Sequence, residues 1–245
     1  MHFSICIPTL NEEKYIGGLL ADLVTQTHRD FDVVVADGNS SDHTSEVVRT
    51  FVNKLKIKFL VSPQRGISFQ RNFAARHTSS PYLVFLDADS RISPDFLAAI
   101  SARLTAHPFD FASSILIPNS PKILDRIIFS TFNYLFLIPM RHIQPAAFGA
   151  FICITKSAFT SINGFPENIS FGEDVELSRL LHRRKFRFHL FRKPAVLFST
   201  RRLDKEGRLQ FILKILKAFF YYYFKGPITD NSSFQKKVLH EFGKF

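Results

Sequence analysis

Four short apolar segments, each followed by a stretch of helical periodicity, restrict this chain more than any other feature. Residues 3–8 (FSICIP), 31–36 (FDVVVA), 56–61 (KIKFLV) and 82–86 (YLVFL) have the length and the β-branched or aromatic content of strands. Between them, residues 11–26 place Ile16, Leu19, Leu20 and Leu23 on one helical face. Ser40, Ser41 and Asp42 are N-cap candidates for a helix through Val47, Val48 and Phe51, and residues 68–76 read as another. Ser93-Pro94-Asp95 opens a helix that runs to about residue 106, with Pro at its first position. Continuous apolar strands alternating with helices predict an α/β domain whose mostly parallel sheet is covered on both faces.

Such sheets bind ligands beyond the carboxyl ends of their strands. Three notable segments fall there: Pro8-Thr9-Leu10, Asp37 and Asp87-Ala88-Asp89. They converge on one crevice if the strands are parallel neighbours. The second half is less regular. Residues 111–117, 148–155 and 195–199 are strand candidates, and 173–184 a helix. Residues 127–138 (IIFSTFNYLFLI) are aromatic-rich and read as helical or membrane-facing.

Composition excludes several classes. Hydrophobic residues make up 46% and charged residues 22% of 245, which excludes disorder as the main state. Two cysteines, Cys6 and Cys153, supply neither a disulfide framework nor a zinc site. Both sit in apolar runs and are expected as reduced core thiols in a cytosolic setting. No leader pattern is visible. The longest uncharged run, residues 127–140, has 14 residues, short of the roughly 18–20 of a membrane span. The net charge is +11, and residues 179–217 alone hold 13 Lys and Arg against 2 Asp and Glu. That stretch suits a polyanionic partner: nucleic acid, an anionic membrane or a phosphorylated substrate.

Four motifs carry candidate chemistry. Asp87 and Asp89, one residue apart past a strand, can share a hard divalent cation that substrate phosphates complete. A helix-capping loop with solvated acids gives the same pattern. Asp37 can accept hydrogen bonds from a base or ribose, or simply form an Asp-Gly turn. Glu173-Asp174 opens a helix, where a carboxylate can serve as general base, although acids favour helix N-termini in any case. Arg201-Arg202 matches phosphate geometry or forms a solvated basic face. His182 and His189 fit metal or phosphate contacts, with a structural role the ordinary alternative for a lone histidine.

Together these segments resemble the family 2 glycosyltransferases of the GT-A fold. The resemblance covers roughly residues 3–205 and rests on IPTLNEE, VVVADGNSSDHT, RGISFQRNFAA, VFLDADS and GFPENISFGEDVELSRLL, in that order. It implies a Rossmann-like mixed, mostly parallel sheet flanked by helices. It also implies a nucleotide-sugar donor, UDP- or GDP-linked, and Mg²⁺ or Mn²⁺. Pro8, Thr9, Leu10 and Glu12 match the loop that holds the nucleoside, and Asp37 the acid that reads the base. Arg65 and Arg71 fall in a segment that lines the donor pocket. Asp89 matches the metal ligand, with Asp87 nearer the ribose, Ala88 between them and His189 a further candidate ligand. Asp174 matches the general base of inverting members, with Glu173 as its alternate. Arg201 and Arg202 stand as a candidate phosphate clamp. Gly38 replaces the second acid that many members carry, and the Q-x-x-R-W motif of processive synthases is absent.

The resemblance predicts one catalytic domain over residues 1–205, with a nucleotide-binding half (1–110) and an acceptor half (111–205). Residues 206–245 then form an amphipathic helix and tail. In residues 209–224, Gln210, Lys214, Lys217 and Tyr221 form a polar stripe and apolar side chains cover the rest. That pattern fits a helix lying in an anionic membrane surface, or one packed on the protein's own second half or on a second subunit. The first option predicts peripheral attachment at the cytoplasmic face and a saccharide or lipid-linked acceptor, without nucleic acid. A polyprenyl-phosphate sugar synthase is the nearest alternative. A non-enzymatic membrane- or nucleic-acid-binding module is the alternative from another class, and it leaves the placement of the acids unexplained.

Overall fold

The computed structural model describes residues 1–229, apart from the side chains of Ser170 and Tyr223. Seven strands form one sheet in the order β3-β2-β1-β4-β6-β5-β8. The first half supplies β1 (Phe3–Thr9), β2 (Phe31–Asp37), β3 (Ile57–Val61) and β4 (Tyr82–Leu86). β1 pairs in parallel with both β2 and β4, and β2 with β3. Helices α1 (Ile16–Val24), α2 (Thr44–Arg49), α3 (Ile67–Arg76) and α4 (Phe96–Ala106) connect and cover them. The order 3-2-1-4 reverses direction between β1 and β4, which opens a crevice at their carboxyl ends.

Alternation along the strands feeds two cores. Phe3, Ile5 and Ile7 face one side with Leu19, Leu23 and Phe96. Cys6 faces the other with Phe85, Ala74 and Leu177. Both cysteines are buried and unpaired, and burial pushes both thiols well above their ordinary range.

The second half adds β5 (Phe111–Pro118), β6 (Phe151–Thr155) and β8 (Phe188–Phe198). β6 runs antiparallel to β4 and β5, and β5 is parallel to β8. Every strand except β6 therefore ends on the same edge, and β6 begins there. α5 (Ile123–Phe132) continues through a π-helical stretch, Asn133–Leu137, into α6 (Ile138–Met140). α7 (Lys156–Ser161) and β7 (Ile169–Phe171) lead to α8 (Glu173–Arg183). α9 (Arg201–Glu206), α10 (Arg208–Lys225) and β9 (Ile228–Thr229) follow β8, and β9 pairs with β7.

Several boundaries differ from the sequence reading. Ser93, Pro94 and Asp95 form the turn before α4, which starts at Phe96. Asp42 stands one residue before the α2 cap position and accepts from the Thr44 N–H at 3.0 Å. β8 is longer than residues 195–199 because its first half pairs with Phe111–Ser114. α7, β7 and α9 carry no clear sequence signal. The boundary placed at residue 205 falls inside α9. The tail beyond residue 229 lies outside the described residues.

The helical run Ile123–Met140 has 18 residues and is long and apolar enough to cross a membrane by length and composition. The count of 14 began only after Arg126. In the fold this helix lies against β5. Asn133 bonds both backbone groups of Leu116, at 3.0 and 2.7 Å, and buried Asp125 pairs with Arg208.

Candidate active site

The acidic residues picked from the sequence meet at the shared strand edge. The β1 loop brings Glu12, the β4 loop Asp87 and Asp89, and the α8 N-terminus Glu173 and Asp174. Two arginines join them. Arg71 on α3 is fully buried, with one Nη on Asp87 and the other on Glu173, each at 2.8 Å. Arg201 on α9 grips Glu12 with two bonds of 2.8 and 2.7 Å, while its Nε lies 3.0 Å from Asp89. Its guanidinium also sits 4.9 Å over the Tyr15 ring. A planar fork of fixed donors sets the angles of these contacts, which a point-charge ammonium does not.

Asp174 accepts from the Gly149 N–H at 2.7 Å and from the Val175 N–H at 2.8 Å. Burial, then the neighbouring Glu173 charge, pushes its carboxyl up to about 7. Burial also raises Asp89 and Glu12, against the opposing pull of Arg201. A group poised near neutrality inside a cleft has the property a general base needs.

Asp37 ends β2 and is buried. Its carboxylate accepts from the Thr9 hydroxyl (3.0 Å), the Ser40 hydroxyl (2.6 Å) and the Ser40 N–H (2.8 Å). Two carboxylate oxygens offer about four acceptor sites, so about one remains for a ligand. Pro8, Thr9 and Leu10 are buried at the end of β1, and Ala88 is buried between the two acids. Arg65 bonds the carbonyls of Gly38 and Asn39, both at 3.1 Å, and so braces the loop after Asp37. Arg202 is half-buried on the first turn of α9.

His189 does not belong to this site. It sits in the first part of β8, ten residues before Ser199, roughly 30 Å along an extended strand. It stacks on Phe109, and Arg103 approaches both ring nitrogens at 3.3 and 3.4 Å. Burial and that cation push its pKa down to about 4, and the same cation repels a metal ion. Part of the basic stretch is neutralised within the protein. Arg179, Arg187, Arg201, Arg208 and Lys214 each pair with a carboxylate of this chain.

Three participants escaped the sequence reading. Gln70 bonds the carbonyls of Thr9 (2.7 Å) and Ala36 (2.9 Å), tying the ends of β1 and β2 together, and Gly38 packs on its side chain. Gly149 leaves room for Arg71, since a Cβ there would lie 2.1 Å from its Nη2. Asn72 accepts from the Phe165 N–H and donates to the Phe165 carbonyl, which fixes the turn ahead of α8. A buried polar residue inside the amphipathic pattern of α3 was the available signal for Gln70 and Asn72.

No group of three or more His, Cys, Asp or Glu side chains arranged to hold a metal occurs among the described residues. The charge balance nevertheless suits a cation. Glu12, Asp87, Asp89, Glu173 and Asp174 face Arg71 and Arg201, a net charge of −3 when all are ionised. Hard carboxylate oxygens of this kind hold Mg²⁺ or Mn²⁺ through one or two side chains, and substrate phosphates complete the shell.

The sequence profile of Glycosyl transferase family 2 matches residues 4–155. The chain belongs to that family. The poly(ribitol-phosphate) beta-N-acetylglucosaminyltransferase TarS of Staphylococcus aureus is 35% identical over 114 residues, 45% of this chain and 20% of TarS. The aligned stretch thus spans about a fifth of that relative. The crystal structure of S. aureus TarS 1-349 in complex with UDP-GlcNAc superposes with a TM-score of 0.67 at 23% identity, covering 99% of this chain and 71% of that one. The mannosyltransferase PcManGT from Pyrobaculum calidifontis, in complex with GDP-Man and Mn²⁺, gives a TM-score of 0.76 at 19% identity, covering 98% and 68%. Both establish a shared GT-A fold.

Proposed function

We propose that this chain is a glycosyltransferase that moves a sugar from a UDP- or GDP-sugar to an acceptor hydroxyl, with inversion. The supporting observation is the Arg71 bridge, which fastens Asp87 to Glu173 and so makes the D-x-D loop and the α8 acids parts of one site. The acceptor oxygen attacks the anomeric carbon, the bond to the diphosphate breaks, and Asp174 takes the hydroxyl proton. Gly149 and Val175 orient that carboxylate. Asp89, with Asp87 beside it, would hold Mg²⁺ or Mn²⁺, which neutralises the leaving diphosphate when bound. Arg201 holds Glu12 and Asp89 in place and contributes positive charge on the same side.

The acceptor is a saccharide or a lipid-linked saccharide at a membrane surface, and the enzyme binds peripherally to the cytoplasmic face. Support for the surface comes from α10. Phe211, Ile215 and Ala218 pack inward, while Leu209, Leu213, Leu216 and Phe220 form an exposed apolar stripe.

Calorimetric titration of UDP and GDP, with and without Mn²⁺, into wild type and Asp89→Asn tests the reading. Metal-dependent binding of one nucleotide, lost in the variant, is the expected result. No nucleotide binding by a folded sample rejects it.

A further inference from the structure

A cavity of about 580 Å³ lies outside the acidic site, where the carboxyl ends of β5 and β8 meet α5. Its two walls differ in chemistry. Ile117 and Leu197 are in-register partners on the paired strands, so they lie side by side, and with Ile115 they make the sheet wall apolar. The helix wall carries Arg126, Ser130 and Tyr134 at four-residue steps, one stripe turned toward the cavity. The Asn133 bonds to Leu116 hold that wall against β5.

Arg126 differs from the cations around it. Lys122 pairs with Asp204, and Arg208 with Asp125 and Asp204. Among the described residues no carboxylate pairs with the Arg126 guanidinium, which lines the cavity. The cavity also adjoins the reaction site. Leu197 stands two residues before Ser199, about 7 Å along the strand, and Ser199 hydrogen-bonds Asp89.

We propose that this cavity binds the lipid-phosphate part of a lipid-linked saccharide acceptor, with the long alkyl or prenyl chain on the sheet wall and the phosphate on Arg126. The assignment as acceptor site rests on the glycosyltransferase reading. An inorganic phosphate meets only Arg126, and an uncharged alcohol meets only the sheet wall. A ligand with both parts uses both walls, and a saccharide beyond its phosphate is carried toward Asp89.

The test is calorimetric titration of octyl phosphate below its micelle-forming concentration, beside octanol and inorganic phosphate, into the full chain. Octyl phosphate is expected to bind at least tenfold tighter than either control. Arg126→Gln should bring it down to the octanol level. Ser130→Trp, which fills the cavity, should weaken it at least tenfold, and both variants should keep wild-type nucleotide binding. Octyl phosphate binding no tighter than octanol, or unchanged in both variants, overturns the proposal. Nucleotide binding without octyl phosphate binding overturns the cavity assignment and leaves the glycosyltransferase reading standing. Octyl phosphate binding with no nucleotide binding under any metal overturns that reading, and the acceptor assignment with it.

Discussion

Residues 1–110 and residues 111–229 treat apolar surface in opposite ways. Of the large hydrophobic side chains left exposed, the first half has four: Met1, Tyr15, Val52 and Val61. The second half has fifteen, concentrated on α5, the π-helical stretch after it, and α10. A monomer has no internal reason to display contiguous apolar helix faces, so such faces mark contact with something else. The first half is closed around its own core, and the second leaves apolar helix faces uncovered. Two arginines cross between the halves in opposite directions. Arg71 reaches from α3 to Glu173, and Arg201 reaches from α9 back to Glu12 and Asp89. The site exists only where the halves are fastened.

The sharpest break in this arrangement is at the second half's contribution to chemistry. Asp174→Asn should lower the transfer rate by about 10²–10⁴-fold, the usual worth of a positioned base, while nucleotide binding stays at the wild-type level. Steady-state kinetics beside nucleotide calorimetry checks both arms. A variant that transfers at the wild-type rate removes Asp174 from the mechanism. If Asp174 is that base, its raised carboxyl should set the acid limb of the pH profile. The base works only when deprotonated, so kcat/KM should fall as pH drops below about 7 and level off above it. A limb near the ordinary carboxylate range would mean that the cleft does not shift this group.

Cutting the fastening itself should cost stability. Arg71→Met strands Asp87 and Glu173 without their cation, and breaking a buried pair in this way costs roughly 3–5 kcal/mol. Denaturant unfolding should show that loss. Gly149→Ala tests the same contact from the other side. Its Cβ would meet Arg71 Nη2, so overpacking should cost about 1–3 kcal/mol in wild type and much less in an Arg71→Met background. Equal costs in both backgrounds would show that Arg71 is not what Gly149 makes room for.

The two halves were also unequally legible. In the first half, apolar runs of strand length and turn acids placed β1 to β4 and their loops within a few residues. The pattern is local there, because β1 and β4 are almost wholly buried, β2 is buried over its last five residues, and each loop returns the chain to the same edge. The second half gave weaker signals. β8 mixes Arg192 and Lys193 into its middle, and the π-helical stretch after α5 hides its docking residue, Asn133, inside an aromatic run. The site acids were legible because they stand at strand ends or a helix start. Their partners were not. Nothing in the sequence says that Arg71 meets residues 16 and 102 positions away, or that Arg201 returns over 189 positions to Glu12. His189 misled because a histidine in a basic stretch looks the same whether it faces a metal or a phenylalanine ring.

The smallest expected effect concerns the surface that the second half presents. On α10, Phe211, Ile215 and Ala218 are committed to the protein, and Tyr222 donates to Glu176 at 2.6 Å, which ties α10 to α8. Leu213 and Phe220 point outward and make none of the core. Replacing either with Glu should leave folding and nucleotide binding within error, because no buried contact is lost. Insertion of such a side chain into an apolar phase contributes about 1.5–3 kcal/mol. Each substitution should therefore weaken sedimentation with phosphatidylglycerol vesicles by about ten- to a hundredfold. Raising salt should weaken wild-type binding further, since Lys205, Lys217 and Lys225 stand exposed along α9 and α10. If the substitutions leave vesicle binding untouched but split a dimer, the exposed stripe is an interface between copies of this chain. The contrast between the halves would then describe assembly rather than attachment to lipid.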